Sequence, residues 1–178
     1  MSLTDPRDTE VLEQRATILA RPRQRETAPR RVLDVLAVRL NGALFGVVLT
    51  QVAAVFRVGR VFPVPLVARH LLGIVRRQGR SLTLVSLRHF FEPAAEGLID
   101  ADYAVHVRVN EQEFAFQAEG IEGVSRIEAA TVGRPPDNLD PGLGRYVSGL
   151  TSTGLLMLDL EALVAAEGFG SRRGRGGQ

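Results

Sequence analysis

The chain has 178 residues, 45% of them hydrophobic and 24% charged, the composition of one globular domain or two small ones. It has no cysteine and no tryptophan, which excludes disulfides, thiolate metal sites and cysteine nucleophiles, and leaves little for a single-stranded nucleic acid to stack on. All 22 basic residues are arginine, but the ends carry the excess: residues 32–171 hold 12 arginines and 15 acids, so the body is mildly acidic rather than a basic binding face.

Residues 8–20 are predicted to form a helix, with Val11, Leu12, Ile18 and Leu19 on one side and Pro22 as its stop. Residues 21–31 are arginine-rich and broken by Pro22 and Pro29, so residues 1–31 read as a helix and a strap. From Val32 the apolar period changes to two. Asn41-Gly42 between Leu36–Leu40 and Ala43–Val48 is a hairpin signal, because both residues tolerate the positive φ of a tight turn. Val52, Ala54, Phe56 and Val58 alternate next, and Pro63 and Pro65 mark a turn or edge segment. A second hairpin runs from Leu71–Arg76 through Gln78-Gly79-Arg80 to Leu82–Leu87, with a short helix at Arg88–Phe91.

Residues 92–102 read as a linker, after which the pattern restarts. Tyr103–Val109 alternates, Asn110-Glu111-Gln112 turns and Phe114–Ala118 returns. Residues 131–145, with three prolines, form a long loop. Tyr146–Thr151 and Leu155–Leu158 make another hairpin, Asp159 caps a helix from Leu160 to Glu167, and residues 169–178 are a Gly/Arg tail expected to be disordered. No apolar run reaches 18 residues and the first residues lack an apolar signal core, so the expectation is a cytoplasmic protein with no membrane insertion.

The two halves match each other. A shift of 69 residues superposes Val38, Arg39, Asn41, Phe45, Val55 and Arg57 on Val107, Arg108, Asn110, Phe114, Val124 and Arg126. Gly73 pairs with Gly149 at a shift of 76, and Leu82–Leu87 with Leu155–Leu160 at 73. A duplicated β unit explains this better than the general likeness of alternating strands. The expected fold is all-β with minor helices: two pseudo-symmetric five-stranded small barrels sharing a core. Residues 32–92 are the first barrel half and residues 93–168 the second, together one domain, with helices at both ends.

No catalytic, metal or cofactor motif emerges. His70, His89 and His106 have no metal-ligand spacing and read as surface histidines, His106 because it alternates with Val105 and Val107. Glu111 and Glu113 read as solvated carboxylates in a turn, where nothing raises a pKa for acid catalysis. The Arg172–Gly177 segment is too short for strong nucleic-acid affinity.

Residues 33–166 resemble the CheW family of chemotaxis coupling proteins. Gly73-Ile74-Val75-Arg76-Arg77-Gln78-Gly79 stands where that family has G-V-I-N-L-R-G, Val52-Ala53-Ala54-Val55 stands at V-x-E-V, and Leu82–Leu87 stands at the x-P-V-x-D-L element. In the second half Tyr146-Val147-Ser148-Gly149-Leu150 and Leu156–Val164 follow Y-I-x-G-V and L-L-D-L-x-x-L-L more closely. The family's leucine, arginine, proline and aspartate become Arg77, Gln78, Thr83 and Ser86, and its glutamate becomes Ala54. The resemblance implies an adaptor without catalysis or cofactor that joins chemoreceptor cytoplasmic tips to the regulatory domain of a CheA-type histidine kinase, and that pairs with other CheW-like proteins. It implies a protein-binding surface including Arg76, Arg77, Gln78, Gly79, Val52, Ala54 and Val55. Two other readings stay open: an accessory double-barrel scaffold of another signalling complex, and a nucleic-acid binder using the arginine-rich ends, against which the acidic body argues.

Overall fold

The computed structural model describes residues 31–65, 68–92 and 101–167. The helix expected over residues 8–20, the strap before Arg31, most of the linker and the Gly/Arg tail lie outside the described residues. Among the described residues eleven strands and three short α-helices follow one another: β1 (Val32–Leu40), β2 (Ala43–Val48), β3 (Val52–Arg57), β4 (Val61–Phe62), β5 (Leu71–Arg77), β6 (Arg80–Val85), α1 (Leu87–Phe91), β7 (Tyr103–Val109), β8 (Gln112–Ala118), β9 (Gly120–Glu128), α2 (Pro141–Gly144), β10 (Val147–Leu150), β11 (Leu156–Leu158) and α3 (Leu160–Glu167). Asn41 and Gly42 turn the first hairpin at φ 50° and 73°, the left-handed pair that matches strand twist. The Asp159 carboxylate accepts from the Ala162 amide at 2.9 Å and so caps α3.

The strands form two sheets, one ordered β10-β11-β2-β1-β9 and the other β3-β7-β8-β6-β5-β4. Sheet membership does not follow the boundary expected at residue 92. The β1–β2 hairpin of the first half lies in the sheet of β9, β10 and β11, whereas the β7–β8 hairpin of the second half lies among β3, β5 and β6. The pairings obey the repeat nonetheless. Met157 faces Gly46 across the parallel β11–β2 ladder, as Leu84 faces Ala115 across β6–β8. The β1–β9 register skips Glu122, and the β3–β7 register skips Ala53, its counterpart 69 residues earlier. Val38 and Val107 occupy equivalent interior positions, both at 0% exposure.

Both sheets curl towards closure by one device. The chain leaving β3 returns as β4 against β5, with Val61 opposite Val75 and Phe62 opposite Ile74. The chain leaving β9 returns at Gly133, which exchanges two backbone hydrogen bonds with Leu150, at 2.9 and 3.1 Å. The returning backbone passes so close that the neighbouring strand carries glycine at that point in both repeats. A Cβ on Gly73 would strike the Phe62 carbonyl, and one on Gly149 would strike the Gly133 carbonyl and the Val132 side chain.

Three apolar clusters result. The largest lies between the sheets, where Val38, Phe45 and Val47 meet Val107, Phe114 and Phe116, with Phe91 of α1 and Leu160 and Leu163 of α3 closing its ends. Val35, Leu155 and Met157 fill the interior of the first sheet, and Val75, Leu82, Leu84, Ala104 and Ala115 that of the second. Gly149→Ala is expected to lower stability by roughly 1–3 kcal/mol in denaturant unfolding, the usual cost of overpacking, and Gly73→Ala by more because its φ of +144° also excludes a side chain. Wild-type stability in both variants would contradict the closure described.

Candidate functional site

The repeat makes a position-by-position comparison of the two sheet interiors possible. At the end of the first sheet stand Ala37 and Leu44, and Arg39 pairs with Glu122 across the mouth. The corresponding residues of the second sheet are His106, Glu113, Arg108 and Ala53. Where the first sheet has two apolar residues the second has an imidazole and a carboxylate, and where it has the glutamate paired with Arg39 the second has an alanine.

The β5–β6 hairpin adds to this difference. The repeat shift falls from 76 before its turn to 73 after it, so the hairpin is three residues longer than β10–β11. The end of this longer hairpin carries Arg76, Arg77, Gln78, Gly79 and Arg80. Gln78 and Gly79 turn it at φ 48° and 79°, the same left-handed pair as in the first hairpin. Arg76 is exposed on the outer face beside Ile74, whereas Arg77 turns inward and lays its guanidinium 5.3 Å from the centre of the Phe56 ring.

A cavity of about 360 Å³ opens between these elements, lined by Ala53, Arg77, Gln78, Arg80, Leu82, His106 and Arg108. Glu113 beside it accepts from Arg108 Nε at 2.8 Å and from Arg80 Nη1 at 3.2 Å, and lies 3.5 Å from His106 Nε2. Burial works against the charged carboxylate, but the Arg108 hydrogen bond and the Arg108 and Arg80 charges together hold Glu113 below its ordinary range. Burial pushes the His106 imidazole below its ordinary range; the Glu113 charge opposes this, and the Arg108 and Arg77 charges reinforce it. Nδ1 of His106 has no hydrogen-bond partner among the described residues, and Nε2 has only the long contact to Glu113.

The expectation of a surface His106 is therefore corrected. It is 4% exposed, because β7 is flanked by β3 and β8 and buries both faces: Val105 and Val107 meet the shared core, while Ala104 and His106 face the interior of their own sheet. Glu113 is likewise half-buried and paired, not a solvated turn carboxylate. Of the residues expected at a protein-binding surface, Arg76, Gln78 and Gly79 are exposed at the hairpin end. Arg77 and Gln78 share the cavity with Ala53, the neighbour of Val52 and Ala54. Val52 and Val55 pack as half-buried side chains on the central cluster, and Ala54 sits opposite His106 in the β3–β7 ladder.

Comparison with known proteins gives this arrangement a family. A model of the CheW-like domain matches residues 34–168. The chain belongs to the CheW-like domain family. Among solved structures it resembles the scaffolding protein TtCheW from Thermoanaerobacter tengcongensis, with 16% sequence identity over 72% of this chain and 89% of that one and a TM-score of 0.62. No curated protein matches the sequence. As a CheW-like protein the chain is a non-enzymatic scaffold of chemotaxis signalling. No helix among the described residues is long and apolar enough to cross a membrane.

The buried imidazole has a consequence for stability. Its folded pKa lies below the ordinary 6.5, so the unfolded chain binds the proton more tightly and stability rises with pH through that window. Lowering the pH below 6.5 is expected to lower the thermal midpoint, with a further loss below 4.5 as Glu113 is protonated. His106→Ala, which restores the residue type at Ala37, is expected to flatten the first of these declines. A variant profile that parallels the wild type would show that His106 is not held neutral.

Proposed function

We propose that this CheW-like protein couples the cytoplasmic tips of chemoreceptors to the regulatory domain of a CheA-type histidine kinase. It would act in the cytoplasm, recruited to membrane-associated receptor arrays that also hold other CheW-like proteins, in chemotaxis or pilus-based motility. The observation that carries this reading, within the family, is an exposed apolar strip bordered by arginine. Phe62 and Ile74 face each other across β4–β5 at 42% and 36% exposure, Val64 follows at 38%, and Arg60 and Arg76 flank them. Arg60 lies 5.2 Å from the centre of the Phe62 ring. Apolar side chains rimmed by guanidinium groups suit a modest protein interface whose strength is multiplied in an array.

The receptor contact is assigned to Arg76, Arg77, Gln78 and Gly79 on the long hairpin, with Val52, Ala54 and Val55 of β3 beside it. The family's arginine fork is replaced by Gln78, so cation recognition passes to Arg76 and the receptor preferred by this chain differs accordingly. The departures at Gln78 and Ala54 also favour a second reading, an accessory scaffold that keeps the fold without coupling.

Pull-down with a receptor signalling-tip fragment and with the kinase regulatory domain tests the proposal. Both are expected to be captured. Arg76→Glu is expected to weaken receptor capture about tenfold, the scale of one lost charge-assisted contact, with the thermal midpoint unchanged. Capture of neither partner by the wild type would refute coupling and leave the accessory scaffold.

A further inference from the structure

The mouth of the second sheet has features that a docking scaffold does not require. His106 is buried, with Nε2 reaching only the Glu113 carboxylate at 3.5 Å and Nδ1 without a hydrogen-bond partner among the described residues, an arrangement that costs free energy unless something in the cavity completes it. Arg77, Arg80 and Arg108 line the same cavity. Glu113 is the carboxylate that answers Arg80 and Arg108, and Arg77 makes no ion pair among the described residues. Three guanidinium groups against one carboxylate leave an excess of at least two positive charges around the space.

The other sheet has different residues at the same places. There Glu122 neutralises Arg39 at the bulge position, and Ala37 and Leu44 make the interior apolar. Here the bulge residue is Ala53, so Arg108 takes its carboxylate from Glu113 and the space at the bulge stays open. The volume exceeds that of a single water-sized group and falls within the ordinary range of small-molecule pockets.

We propose that this mouth binds a small dianion carrying phosphate or carboxylate groups, with Arg77, Arg80 and Arg108 as its cationic contacts and the His106 ring at its floor. Arg80 and Arg108 each use one N–H on Glu113 and keep further donors, and the planar guanidinium suits both kinds of oxyanion. Arg77 is held in place over Phe56 and supplies the unneutralised charge. The site does not depend on the coupling reading, because it concerns binding by the chain alone.

Calorimetric titration of the full chain at physiological ionic strength and mildly alkaline pH, with inorganic phosphate and separately with succinate, both dianions there, tests the site and separates phosphate from carboxylate as the group recognised. Saturable binding of at least one of them, with one ligand per chain, is expected. Arg77→Ala should weaken it about tenfold or more. Ala53→Glu, which rebuilds the bulge residue of the first sheet, should abolish it, whereas Arg76→Ala on the outer face should leave it unchanged. The His106 ring resonance of the wild type should shift during the titration, a readout that holds even if a variant fails to fold. Absence of saturable binding, an unmoved His106 resonance, or loss in Arg76→Ala but not in Ala53→Glu would overturn the proposal.

Discussion

The β1–β2 and β7–β8 hairpins of this protein each have two largely apolar faces, and neither half of the chain covers both. That constraint organises the molecule. A hairpin alone is marginal in water, and β1–β2 and β7–β8 each bury one face in the shared cluster and the other inside a curled sheet. The solution is reciprocal exchange: each repeat lends its hairpin to the sheet built by the other repeat's remaining strands. The shared cluster then joins two sheets that are themselves joined by chain crossings, so the core has no clean boundary at which halves separate.

The exchange also explains how duplication yields a one-sided molecule. Once each sheet is completed by both repeats, a substitution in one hairpin alters one mouth only. Leu44 and Ala37 keep the first interior apolar, while Glu113 and His106 at the matching places make the second polar. Ala53 stands where the first sheet has a glutamate, and the β5–β6 hairpin, three residues longer, brings arginines to the rim. The backbone device is common to both sheets, and the chemistry differs between them.

Much of the fold was legible in the sequence because local signals agreed with the tertiary structure. Asn41-Gly42 and Gln78-Gly79 mark turns that form with positive φ, and the 69-residue shift matches the ladder registers on both sheets. What could not be read was which sheet each hairpin enters, since a repeat is equally consistent with separate or exchanged units. β9 had no periodic signal of its own: Glu122, Val124, Ser125 and Arg126 are exposed on an edge strand, and only its match to β3 marks it. His106 was misread for a related reason. Alternation identifies the polar residue of a strand but assumes its face is wet, and β7 has no wet face there. The cavity gathers Ala53, Arg77 and Arg108 from strands brought together only by the exchange, so no spacing in the sequence announces it.

Separating the halves tests the exchanged architecture most directly. Fragments 31–92 and 93–178, prepared individually and then mixed, would be followed by amide hydrogen exchange. Exchanged hairpins require that neither fragment shows protected amides alone and that mixing restores protection in β2 and β8 together. A fragment that protects its own strands in isolation would contradict the shared sheets and return the molecule to two independent barrels.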